Sequence, residues 1–276
     1  MDKEVYYKFL EEEFDLLKRR EYNSIINDIN GEIEKRKEDI DLSFKEHRML
    51  FSNYKEVVLF CDVNQREITE DALNLDYVTL FGLLGDAYMS RDMLEEALNA
   101  FTKAITLSPA NILLIQRKIN ILVKLNKFDE AKEIIFKTFK YCYEKNMLLS
   151  QYFPLIDIYK HYKDYKSAVN LLYLVGTAYL DYTEFVANEI TKLEKESNMQ
   201  FDAPKEFSTI LDYLKEKNIA TPVDLSMYYY SIYNELLKRN ELGGALDFLL
   251  SSHNLFYDKK NVKLIKKLQK QIKKQK

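Results

Sequence analysis

The chain has 276 residues, 47% hydrophobic and 31% charged, with a net charge of −3. That balance predicts a soluble folded protein and excludes a disordered one. No apolar run approaches the ~18 residues needed to span a bilayer, and the first residues have no apolar signal core after their charges. Only six glycines and four prolines punctuate the chain, which favours long helices over many short strands. Cys61 and Cys142 are the only cysteines, and both sit in apolar helical text. They read as buried free thiols of a reducing cytoplasm, so the expected location is cytoplasmic.

Residues 1–30 carry Tyr6, Phe9, Leu10, Phe14 and Leu17 at helical spacing. Arg19, Arg20 and Glu21 mark a turn, and a second helix runs from about Tyr22 through Ile25, Ile26 and Ile29. The pair is either a degenerate repeat or a capping hairpin. The stretch 30–41 is densely charged around Ile33 and Ile40 and reads as a solvated helix. Residues 42–60 read as another hairpin with Ser52 and Asn53 at its turn, and a polar segment, 62–75, follows. Residues 1–77 are thus expected to form an N-terminal helical extension.

Residues 77–111 read YVTLFGLLGDAYMSRDMLEEALNAFTKAITLSPAN. Phe81 is followed by Leu84, Gly85, Tyr88, Ala97, Phe101, Ala104 and Pro109. Gly85 and Ala97 are small where two antiparallel helices must approach closely, and Tyr88 and Phe101 fill the gap between them. Pro109 cannot continue a helix, so it ends one hairpin. Seven or eight such slots, each filled by chance roughly one time in ten, coincide at a rate on the order of 10⁻⁷ per window. The stretch resembles the tetratricopeptide repeat, with Phe81 in place of the usual Trp and Asp92 in place of a common turn Gly. The resemblance implies an all-α solenoid of antiparallel helical hairpins wound as a right-handed superhelix. A single such repeat cannot bury its own apolar face, so at least three should stack.

Later units follow in register. Ala131 lies 34 residues after Ala97, and NKFDEAKEIIF repeats the logic of RDMLEEALNAF. Ile115, Ile119 and Leu122 stand in the slots of its degenerate first helix. A third unit carries Tyr152, Leu155, Tyr159 and Ala168. Two irregular helices follow near 183–217 without repeat slots. Thr221, Pro222 and Asp224 read as a helix start, and Ala245 fills the small slot of a fourth unit. Repeat-like text thus covers 78–257.

The last segment, 258–276, is expected to be a basic capping helix. It holds nine lysines and no acid after Asp258, so against a whole-chain −3 the first 258 residues sum to −12. Leu264, Ile265, Leu268 and Ile272 fall on one helical stripe. Docking of that stripe on the fourth unit is the structural reading. The functional alternative is electrostatic contact with an acidic partner, anionic lipid or nucleic acid. Lysines without arginine or interleaved aromatics do not favour base recognition.

The chemistry of catalysis is not evident. No Gly-rich phosphate loop or Gly-x-Ser-x-Gly elbow occurs, and His47, His161 and His253 lack metal-ligand spacing. No enzyme activity, cofactor or metal is expected. In the family this chain resembles, the first helix of each hairpin lines a concave groove that holds a peptide or partner segment. Carried onto this sequence, that implication selects Asp86, then Gln116, Asn120 and Lys124, then Asp157, then Tyr230 and Asn234 as groove residues. Asp86 in the first clear unit would repel a terminal carboxylate, which argues against the subtype that grips acidic chaperone tails. The expected function is a non-catalytic adaptor or scaffold for a protein or peptide partner. The alternative is a peptide-responsive regulator with the N-terminal helices as its output module.

Overall fold

The computed structural model describes residues 3–66 and 75–275. Among them the chain folds into fifteen α-helices and two single 3₁₀ turns, with no strand element. The fold is all-α, as its resemblance implied. It divides into two compact units, residues 1–131 and 132–276.

In the first unit, α1 (Lys3–Arg19) and α2 (Tyr22–Lys35) form a hairpin that packs directly on α5 (Tyr77–Ser90). Tyr6, Leu10, Ile25 and Ile29 join Tyr77, Leu80, Phe81 and Leu84 in one core. α5 and α6 (Leu94–Leu107) make the tightest hairpin of this unit. A methyl group on Gly85 would stand 2.8 Å from the Phe101 ring, so the small slot is a steric requirement. Pro109 lies in the turn after α6, and Asn111 caps α7 (Ile112–Lys124) by accepting from the Leu113 and Leu114 amides.

Two local expectations are corrected. The charged stretch 30–41 is helical and mostly exposed, but it is not one helix: α2 stops at Lys35 and α3 (Lys37–Lys45) starts at once, with Arg36 at the break. The Arg36 and Glu32 side chains are only 11% and 7% exposed and pair at 2.6 Å, because the break turns both inward. Nor do residues 42–60 make a hairpin. α3 and α4 (Tyr54–Asn64) do not run along each other; Leu50 instead donates its amide to the Leu107 carbonyl at 2.8 Å, drawing the chain to the end of α6. Asn53 is the N-cap of α4 rather than a hairpin turn. Cys61 is half-buried; only Cys142 is fully buried. Residues 67–74, most of the polar segment 62–75, lie outside the described residues.

The unit boundary falls within α8 (Phe128–Thr138). In the second unit, α9 (Lys145–His161) and α10 (Tyr165–Ala178) form a hairpin, followed by α11 (Thr183–Ser197) and α12 (Phe207–Glu216), which both pack on α10. α13 (Pro222–Lys238) opens at the expected helix start, where Thr221 and Asp224 bond reciprocally in a capping box, and pairs with α14 (Leu242–Leu255). Buried tyrosines tie these elements: the Tyr152 hydroxyl donates to the Ala220 carbonyl at 2.6 Å, and that of Tyr229 to the Lys140 carbonyl at 3.0 Å. Finally, α15 (Lys259–Gln275) lies on α14, with Ile265 and Leu268 buried and Leu264 and Ile272 half-buried.

One turn recurs throughout. Arg20, Asp92, Asn126, Lys163 and Asn240 all adopt left-handed φ values between 57° and 61°. In each case the next residue's amide bonds a carbonyl five residues back: Glu21 to Leu16, Met93 to Tyr88, Lys127 to Leu122, Asp164 to Tyr159, and Glu241 to Leu236. This is the 6→1 bond of a Schellman closure. Five residues after each left-handed position stands a fully buried side chain: Ile25, Ala97, Ala131, Ala168 or Ala245.

Candidate functional site

The first-helix faces of the hairpins position the expected groove residues. On α7, Gln116, Asn120 and Lys124 recur every four residues and share one face. Gln116 and Asn120 are half-buried and Lys124 is exposed. Leu113, 64% exposed, starts the same strip. Among the described residues, neither amide has a hydrogen-bond partner, and Lys124 has no ion pair. Each amide therefore presents a donor and an acceptor to solvent, the pair of functions a peptide backbone needs.

Asp86 behaves differently. Its Oδ1 lies 3.2 Å from Nε of Arg117, which reaches from α7. Burial pushes the Asp86 carboxyl above its ordinary range, and Arg117 pulls it partly back. Its charge is therefore locally offset, and the argument that it repels a terminal carboxylate loses force. Arg117 was not among the expected residues. The signal for it was its place next to Gln116, on the edge of the α7 face nearest α5.

In the second unit, Asp157 on α9 is exposed and lies 3.7 Å from Lys160, whose ammonium also faces Glu189 of α11 at 3.6 Å. One turn earlier, Phe153 is overlaid by Tyr182 and Phe185, with ring centres 5.9 and 5.5 Å away. The start of α11 thus covers that part of the α9 face. Tyr230 and Asn234 share a face of α13, one turn apart, and both are half-buried. The Tyr230 ring meets that of Tyr233 at a tilt, with centres 5.2 Å apart, and lines an open cleft of about 750 Å³ with Met227, Phe256, Tyr257, Lys259 and Lys260. Met227, three residues before Tyr230 and therefore on the same face, is the cleft residue that helical spacing could have supplied.

Of the seven expected residues, the structure brings Gln116, Asn120 and Lys124 onto one α7 strip with Asp86 alongside through Arg117, and Tyr230 with Asn234 onto another strip. Asp157 stands apart, engaged by its own helix. Among the described residues no group of three or more His, Cys, Asp or Glu side chains is placed to hold a metal, and no helix is long and apolar enough to cross a membrane. The buried Cys142 thiol is pushed well up by desolvation, away from the thiolate form that a nucleophile needs.

Residues 78–111 match the family model described as tetratricopeptide repeat. This segment is a tetratricopeptide repeat. Its limits coincide with α5, α6 and the turn that delivers Asn111 to α7. No curated protein matches the chain. The repeat points to a role in protein–protein interaction, and its first helix, α5, carries Asp86 on the face next to α7.

Proposed function

We propose that this protein is a non-catalytic cytoplasmic adaptor that holds an extended peptide segment of a partner along the α5–α7 face. The observation that carries this reading is the pair of unengaged amides, Gln116 and Asn120, set one turn apart beside exposed Leu113 and next to the tetratricopeptide repeat. An extended backbone offers alternating donors and acceptors, which two fixed amides can satisfy, while Leu113 supplies apolar contact. A rigid helix face also spares its own side the ordering penalty when a flexible ligand binds. The regulator reading, with α1 and α2 as a mobile output module, is disfavoured by their sharing one core with α5.

The test is affinity capture from native extract with the intact protein and with the Gln116→Ala/Asn120→Ala variant, followed by titration of tiled peptides from the retained partner. Loss of both amides should weaken the best peptide by about ten- to thirty-fold. An unchanged affinity in the folded double variant would move the site elsewhere.

A further inference from the structure

The C-terminal helix has a second face that the adaptor reading does not use. On a wheel of 3.6 residues per turn, Asn261, Leu264, Ile265, Leu268 and Ile272 of α15 lie on one side, and the fold covers each of them in whole or part, with Val262 at the margin. The eight lysines between 259 and 274 all fall on the opposite side, within an arc of about 140°. All eight are exposed, and among the described residues none forms an ion pair. The helix is pinned from behind, so this face is held outward along its length. It is a fixed comb of positive charge on a chain whose other residues are net negative.

We propose that the lysine face of α15 docks on an anionic lipid bilayer surface. Charge complementarity demands a polyanion, and two features select lipid. First, the face contains only lysine, a strongly hydrated point charge that suits a diffuse anionic surface; it lacks the planar arginine fork used on base edges and phosphodiesters. Second, apolar side chains stand exposed at its N-terminal end. Met227 is 68% exposed, Tyr257 63% and Phe256 40%, and they line one cleft with Lys259 and Lys260. A duplex has no use for such a group, whereas the headgroup region accepts aromatic rings beside lysines. The helix lies flat on the surface and does not span it, since its apolar stripe is already used against the protein.

The test uses the full-length protein and sedimentation with vesicles of phosphatidylcholine alone or with about 30% phosphatidylserine, a composition that gives a negative surface potential. Binding should require the anionic lipid and fall steeply between low and high salt. Lys263, Lys266, Lys267 and Lys270 changed together to Gln should lower partitioning by about two to three orders of magnitude, at roughly five-fold per lysine. This variant leaves the docked stripe intact, and circular dichroism checks that it is folded. A Phe256→Ser/Tyr257→Ser variant should also bind less, with its salt dependence unchanged. Absence of binding to anionic vesicles at low salt would overturn the proposal. Tighter binding to a DNA or RNA duplex, or to an acidic peptide, than to the vesicles would overturn the assignment to lipid. Equal binding by the serine variant would remove the argument that separates lipid from other polyanions, and so would count against it as well.

Discussion

The Arg36 guanidinium lies over the face of the Tyr6 ring, 4.6 Å from its centre, and pairs with Glu32 at 2.6 Å. This contact sits where α2 breaks into α3, and it joins that break to α1. Tyr6 in turn donates its hydroxyl to the Asp76 carbonyl at 2.9 Å, and Asp76 caps α5 by accepting from the Thr79 amide. A charged residue in dense polar text thus becomes the link between the N-terminal hairpin and the tetratricopeptide repeat. Replacing Arg36 with Ala would strand Glu32 in a buried site, an effect worth about 3 kcal/mol or more for a fully buried pair. Lys35 stands 3.4 Å from the same carboxylate and offsets part of this. The expected loss is therefore about 2 kcal/mol, read by urea unfolding. A loss below about 0.5 kcal/mol would mean that the pair behaves like an exposed one.

Glu13 offers a pH-dependent counterpart. It is 2% exposed, one of its carboxylate oxygens has no partner, and burial pushes its carboxyl up to about 7, with Asp28 and Glu12 adding to the shift. An acid raised in the folded state favours folding while it is protonated. Its contribution is full below pH 4.5 and is lost as pH rises toward 7. Glu13→Gln should therefore stabilise the protein by roughly 2–3 kcal/mol at pH 8 and leave it nearly unchanged at pH 4.5. Denaturation curves at the two pH values decide this; an equal effect at both would show that the native carboxyl is not raised above its ordinary value.

Gly85→Ala opposes two effects of known size. Alanine is better than glycine in a helix interior by about 1 kcal/mol. Here the added methyl would stand 2.8 to 2.9 Å from three atoms of the fully buried Phe101 ring. Overpacking of that kind costs about 1–3 kcal/mol. The net expectation is a destabilisation of about 1 kcal/mol, relieved by a second change, Phe101→Leu. Gly31 and Gly243 have nothing within 4 Å of a new methyl. Alanine there should stabilise by about 0.5–1 kcal/mol, and thermal melts of the three variants separate the two effects.

These cases mark what was legible in the sequence. Slots whose side chains must be small or large for helices to meet, such as Gly85, Ala97 and Phe101, announce themselves because sterics limit the alternatives. The strip that Gln116, Asn120 and Lys124 form on α7 was legible through the resemblance, which said which helix face to read, and helical spacing then puts the three on one side. What spacing cannot supply is the partner on a neighbouring helix. Arg117 offsets Asp86, and the start of α11 covers Phe153; both depend on tertiary packing. The inward turn of Arg36 and Glu32 was hidden for the same reason. Charged text reads as solvent-facing until a helix break brings it against a tyrosine ring.

The recurring turn yields a final prediction. Lys163 holds φ at 57°, the left-handed region that costs a residue with a Cβ about 1–2 kcal/mol. Asn126 and Asn240 occupy the same place in their hairpins, and asparagine tolerates that conformation far better. Glycine removes the strain but loses more chain entropy on folding, by about 0.5–1 kcal/mol. Lys163→Gly should therefore stabilise the protein by about 0.5–1 kcal/mol, whereas Asn126→Gly and Asn240→Gly should be neutral or slightly destabilising. Lys163 is exposed and forms no ion pair among the described residues, so no lost contact obscures the comparison. Matched melts of the three glycine variants would test it. A stabilisation of equal size at all three positions would mean that the asparagines are as strained as the lysine, and that the residue type at this turn position does not set the strain.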